Sequence, residues 1–296
     1  MDKQSIRSYA LLSGAALVWG FAFVAQRKGM EFSGPLSFNG LRFLLGTLTL
    51  LPLLLLYKPK KGLKKALTDK RLLLAGIMAG TALFFAASFQ QIGIIYTTAG
   101  NAGFITGFYI ILVPVFALLR GRHTAYQTWL GALAALAGLY LLSIRGSDNL
   151  LMRQGDVLVL LSAFFWAAHI VILSYVAPRH DFRLLAIIQY SFTALLSLML
   201  AAVAEPFPLA LFSQPVNLLP LLYAGIVSVG IGFTLQVAGQ RHARADLSGM
   251  ILSTEAVFAA LGGYLILHET MGTEALTGSA LMLAGIILAQ SGDSRP

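Results

Sequence analysis

The chain has 296 residues, of which 57% are hydrophobic and only 11% charged, with a mean hydropathy of +0.78. Soluble domains carry about 25% charged residues, so this composition excludes a water-soluble globular domain. The formal net charge of +9 does not mark a nucleic-acid binder, because the basic residues flank apolar segments, where Lys and Arg act as topology signals. Cysteine is absent, which excludes disulfides, thiolate metal sites and a cysteine nucleophile.

A membrane-spanning helix needs about 20 mostly apolar residues. Ten segments qualify: 8–26, 36–57, 72–95, 99–119, 126–144, 155–177, 184–204, 217–240, 245–267 and 274–291. Lys3 and Arg7 precede the first, as they would in a signal peptide. Phe23-Val24-Ala25 is a poor small-x-small cleavage site, so this segment is predicted to stay as a helix. The stretch from Lys58 to Arg71 holds Lys58, Lys60, Lys61, Lys64, Lys65, Lys70 and Arg71, and is predicted to be cytoplasmic. Counting outward, both termini are then cytoplasmic, and Arg120, Arg122, Arg179, Arg183, Arg241, Arg244 and Arg295 fall on the same side. Only Arg27, Lys28, Arg145 and Arg153 fall on the other, while Arg42 lies within the second segment. An odd number of spans would break this alternation. The pattern fits an integral protein of a bacterial cytoplasmic (inner) membrane.

The halves of the chain repeat. Trp19 precedes Trp166 by 147 residues, and Gly131 and Gly138 precede Gly278 and Gly285 by the same interval. Ala99-Gly100-Asn101-Ala102-Gly103 and Ala245-Asp246-Leu247-Ser248-Gly249 open the fourth and ninth segments, 146 apart. The expected division is 1–146 and 147–296, with five helices each. Five is odd, so the second half enters the membrane from the opposite side. The basic loop after segment four (Arg120, Arg122) has a counterpart after segment nine (His268, Glu269, Glu274) without Lys or Arg, as inversion requires. Inverted repeats are a recurrent plan of secondary transporters, with the site near the midplane between halves.

Several motifs are familiar: Trp19-Gly20-Phe21-Ala22-Phe23, Leu41-Arg42-Phe43, the run from Thr97 to Gly107 followed by Pro114-Val115-Phe116, Glu255-Ala256-Val257-Phe258-Ala259-Ala260-Leu261, and Leu267-His268-Glu269. Through them nearly the whole chain resembles the drug/metabolite transporter superfamily, in its EamA-type branch. The resemblance implies an all-α fold of ten transmembrane helices, two inverted five-helix repeats around a central cavity. It also implies export of metabolites such as amino acids, nucleosides or drug-like compounds. The chain departs from the family at Arg122-His123-Thr124, where Gly-Glu is common, and at His169, where many members have a small or apolar residue.

Glu255 is the acid predicted to lie well inside a helix. A charge at the bilayer centre costs about 2.5–3.5 kcal/mol on insertion scales, so a buried acid points to a protonatable group or a substrate contact. The alternative is a carboxyl bonded to a neighbouring helix. Ser248, seven residues earlier, shares its face. Arg42 must pair, reach carbonyls or snorkel. Near its helix end it is predicted to be a structural charge reaching the outer interface. His169 lies three residues after Trp166 and suits either a proton switch or a bond between helices. Trp19 with Phe23 and Gln26 forms a stripe, and the paired placing of Trp19 and Trp166 suggests cavity walls. Asn101, Tyr109, Gln90 with Gln91, and Gln236 with Gln240 could bond a polar solute or glue helices together. Gly100, Gly103 and Gly107 read as a close-packing face.

The sequence thus predicts a secondary transporter of small organic solutes, with Trp19, Gln90, Asn101, Tyr109, Trp166, His169, Gln236 and Glu255 as candidate substrate contacts and Glu255 as candidate proton coupler. No Gly-x-x-x-x-Gly-Lys-Ser/Thr loop suggests ATP hydrolysis, and no cofactor is expected. A membrane-embedded enzyme lacks its usual motifs here, and a channel-like facilitator is the other alternative. The expected partners are a small-molecule substrate and the bilayer, not nucleic acid, with a homodimer left open.

Overall fold

The computed structural model describes residues 3–56, 68–96, 99–119, 121, 124–143, 154–266 and 272–291. Within these the regular structure is entirely helical. In order the helices are α1 (Lys3–Gly29), α2 (Pro35–Leu56), α3 (Lys70–Tyr96), α4 (Ala99–Thr106), α5 (Tyr109–Leu119), α6 (Tyr126–Ser143), α7 (Gln154–Val176), α8 (Phe182–Ala204), α9 (Leu209–Ser213), α10 (Leu218–Leu222), α11 (Thr234–Gly239), α12 (Ala245–Leu252), α13 (Glu255–Ile266) and α14 (Thr273–Ser291). A π-helical stretch, Tyr223–Phe233, joins α10 to α11. The basic run from Lys58 to Lys65, along with Arg120, Arg122, Arg145, Arg153, His268, Glu269 and Arg295, lies outside the described residues.

Among the described residues, each predicted segment falls largely on helix. Among the described residues, six helical runs are long and apolar enough to cross a membrane: α1, α2, α3, α7, α8 and the run from Pro215 to Gly239. The surface supports a membrane setting. Leu74, Leu119, Leu133, Met199 and Ile287 are exposed, and Val203 is 89% exposed. Gln91, His169, Gln189 and Gln240 are fully buried. A soluble protein arranges these classes the other way round. The chain is an integral membrane protein with polar groups inside and apolar side chains toward lipid.

Two expected continuous helices are broken. The fourth segment turns at Gly107-Phe108, between α4 and α5, and the ninth at Ser253-Thr254, between α12 and α13. At the first break, Phe108 N–H donates to the Ile105 carbonyl and Ile110 N–H to that of Gly107, both tighter than α-helical spacing. At the second, the Ser253 and Thr254 hydroxyls donate to the Met250 and Ile251 carbonyls at 2.7 and 2.6 Å, competing with the backbone ladder. The two breaks lie 146 residues apart in the chain.

Helix pairs approach closely where glycines meet. A Cβ on Gly131 of α6 would sit 2.3 Å from the Gly285 carbonyl oxygen on α14, and one on Gly285 would sit 2.5 Å from that of Gly131. Gly138 meets the Gly278 carbonyl likewise, at 2.5 Å. Gly103, by contrast, has nothing within 4 Å of where a methyl would sit, so the expected close-packing face of α4 does not extend to it.

The N-terminus of α2 is capped from far away in sequence. Glu205, just beyond α8, accepts from the Leu36 and Ser37 N–H groups, each at 2.8 Å. Both are orphan donors of a first turn, where a negative charge also meets the positive end of the helix. Glu205→Ala is expected to lower stability by about 1.5–3 kcal/mol, the usual worth of bonds to a charged group. Thermal unfolding of the purified protein in detergent checks this, and an unchanged midpoint would show the cap to be idle.

Candidate functional site

The helices surround a cavity whose wall contains both aromatic and polar side chains. It encloses about 490 Å³ of empty space, its open mouth included. Helix α1 contributes Trp19, Phe23 and Gln26; α2 contributes Arg42; α3 contributes Gln90. Thr106 and Tyr109 come from either side of the first break, and Leu252 and Glu255 from either side of the second. Helix α7 adds Trp166 and Ile170, and the π-helical run with α11 adds Ser228, Phe233 and Gln236.

The breaks explain how a tyrosine and an acid meet in the wall. Tyr109 opens α5 and Glu255 opens α13, and the Tyr109 hydroxyl donates to Glu255 Oε1 at 3.0 Å. Glu255 is 8% exposed and is the only carboxylate among the described lining residues. Partway along α1, a Cβ on Gly20 would sit 2.8 Å from the Glu255 carbonyl oxygen, so α1 and α13 pack backbone to backbone here.

Rings form another part of the wall. Phe233 forms a triangle of rings with the two predicted tryptophans, 4.5 Å from the Trp19 ring centroid and 5.7 Å from that of Trp166, nearly parallel to the latter at 16°. Trp19 and Trp166 are themselves 6.4 Å apart. Their indole nitrogens are fixed: Trp166 Nε1–H donates to Gln90 Oε1 at 2.7 Å, and Trp19 Nε1–H donates to the Ser228 carbonyl at 3.2 Å. Behind Phe233 stand Phe43 and Tyr190, 5.8 and 6.2 Å away.

Of the predicted contacts, Trp19, Gln90, Tyr109, Trp166, Gln236 and Glu255 come together in this wall. The Asn101 side chain lies outside the described residues. His169 does not line the cavity. It is fully buried, and its Nε2–H donates to Gln189 Oε1 at 2.9 Å. Three residues advance a helix by about 300°, so His169 is turned some 60° from Trp166 and faces α8 instead. Gln240 Nε2 donates to the Ile170 carbonyl and the Ser174 hydroxyl at 2.8 and 2.9 Å, Ser248 donates to the Arg244 carbonyl, and neither residue is part of the cavity wall. Arg42, expected to reach the outer interface as a structural charge, does not. It is 2% exposed and part of the cavity wall, because its side chain turns inward over the Phe43 ring, 5.1 Å from its centroid. Sequence reasoning missed Phe233, Ser228 and Thr106. Only Thr106 left a signal, since it lies in the familiar run from Thr97 to Gly107.

The sequence model of the EamA-like transporter family matches this chain twice, over residues 6–144 and 153–290. The chain belongs to the EamA-like transporter family. A transporter of Archaeoglobus fulgidus, described as uncharacterized, is 31% identical over 95% of this chain and 86% of its own length. The uncharacterized transporters YvbV and YoaV of Bacillus subtilis are each 25% identical, over 95% and 92% of this chain and 91% and 92% of theirs. A crystal structure at 20% identity superposes with a TM-score of 0.80 over 96% of both chains, which shows that the fold is shared. In this EamA-like protein the cavity brings amide, hydroxyl and charged groups together with aromatic rings in the interior of the helical bundle.

Proposed function

We propose that this EamA-like protein is a secondary carrier that moves small organic solutes across a bacterial inner membrane by alternating access. In this reading it has ten spans in two inverted five-helix repeats, with both termini cytoplasmic. The observation that carries it is the make-up of the cavity wall. Trp19 with Trp166 and Phe23 with Ile170 are separated by 147 residues, and Gln90 with Gln236, Thr106 with Leu252 and Tyr109 with Glu255 by 146. Counterparts touch one another only near an axis that relates two copies. Away from the axis, contacts are reciprocal: Gly131 meets Gly285, the counterpart of Gly138, and Gly138 meets Gly278, the counterpart of Gly131. Broken helices at corresponding places in both halves, both lining the cavity, favour rocking of one half against the other.

Proton exchange through Glu255 is the coupling this arrangement supports best, since the acid sits in the wall with a hydroxyl partner. The described lining residues contain no His, Lys or Cys and a single acid, whose side chain accepts from the Tyr109 hydroxyl, and this sparse set supports a carrier better than an enzyme. The test is a comparison of metabolites released by cells with and without the protein, followed by flux of the released compound in proteoliposomes. A carrier saturates and is accelerated by unlabelled solute on the far side. Linear flux without counter-exchange would indicate a facilitator, and no difference in any metabolite would sink the reading.

A further inference from the structure

The geometry points to Arg42 as an anion anchor, so that the solute this cavity takes is a small organic monocarboxylate with a ring or other flat apolar body. The inference rests on the carrier reading for the cavity's purpose, but not for its chemistry. Among the described residues no carboxylate lies within ion-pair distance of Arg42, and no hydrogen bond reaches its side chain. Its Nε is buried without a partner. An uncompensated charge at this depth is costly, and the Phe43 ring face, at 5.1 Å, offers less than an ion pair. The packing does not need the charge either. The counterpart of Arg42 at the 147-residue interval is Gln189, a neutral amide that is fully buried and engaged with His169. The cation is therefore a departure from the repeat at a wall position.

A guanidinium presents a planar fork of donors that a carboxylate satisfies through two parallel bonds. The remaining wall fits the rest of such a molecule. Trp19, Trp166 and Phe233 offer ring surfaces, and Gln26 and Gln236 offer amides. Gln236 Oε1 has no partner among the described residues. Glu255 sets the limit on charge, since a second negative group in the same cavity would face it.

The test uses purified wild-type protein and a matched pair of probes, phenylacetate and phenylacetamide, alike in size and differing by one charge. At equal ionic strength, phenylacetate is expected to raise the thermal midpoint by about 2 °C or more, as a ligand of the folded state does. Phenylacetamide and inorganic phosphate are expected to leave it unchanged. In Arg42→Gln the phenylacetate affinity should fall by more than about tenfold, with Arg42→Lys intermediate because it keeps the charge and loses the fork. Equal shifts with both probes, no shift with phenylacetate, or an equal shift with phosphate would each overturn the assignment. The probe comparison needs no variant, so misfolding of Arg42→Gln does not blunt it. Flux of labelled phenylacetate separates the two readings. Binding without flux removes the carrier and leaves the anion site, whereas equal flux of both probes removes the anion site and leaves the carrier.

Discussion

Glu255→Gln is expected to abolish solute-driven proton movement while leaving the protein folded and its cavity intact. The amide keeps the size of the acid and still offers an oxygen to the Tyr109 hydroxyl, which lies 3.0 Å from Oε1 in the native protein. It removes only the ability to gain and lose a proton. No other described lining residue is an acid, so no neighbour can take over. In proteoliposomes loaded with a pH-sensitive dye, an imposed solute gradient should drive pH change at least about tenfold more slowly than in the wild type, the loss expected of a lone intramembrane proton site. Thermal stability should be unaltered, because a neutral side chain replaces a buried acid. Glu255→Ala differs: it strands the Tyr109 hydroxyl and should cost about 1–3 kcal/mol of stability. Undiminished coupling in Glu255→Gln at equal protein amount would reduce the acid to a helix–helix contact.

The limits of what the sequence carried have physical causes. The helices were legible because a bilayer demands about 20 apolar residues in a row, and that demand is written locally. The breaks were not. Gly107 and Ser253-Thr254 are tolerated within continuous membrane helices, and only the hydroxyl-to-carbonyl bonds of the folded chain reveal the second turn. Tyr109 and Glu255 were both candidates, yet nothing local says that residues 146 apart will share a hydrogen bond. The repeat interval does imply it, for residues on an axis relating the halves. His169 leaves the wall by a rotation of some 60°, which the three-residue spacing allows but does not decide, because spacing fixes the angle between two side chains and not which of them faces the cavity. Arg42 turns inward rather than outward, because depth along a helix says nothing about direction around it. Phe233 gave no signal at all, since a phenylalanine in an apolar run becomes a site residue only when the fold sets it beside the two tryptophans.

A second large effect is expected from adding a side chain to the same residue type at two places. Gly131→Leu on α6 should lose most of the folded protein, while Gly103→Ala on α4 should change nothing measurable. At Gly131 the first added carbon would lie 2.3 Å from a backbone carbonyl oxygen and 3.0 Å from the Ala289 nitrogen. Neither atom can rotate away, so α6 and α14 must part along their length. Parting them also opens the reciprocal contact at Gly138 and Gly278. Overpacking a tight site costs about 1–3 kcal/mol and sometimes more, and here a whole helix interface is forced open. At Gly103 a methyl meets nothing within 4 Å. Size-exclusion profiles and thermal midpoints of the two variants in detergent provide the comparison. A monodisperse Gly131→Leu protein with a wild-type midpoint would show that α6 and α14 do not meet through their glycines. The packing between the two halves would then have to rest elsewhere, and the reciprocal contacts that support a two-fold relation between them would lose their force.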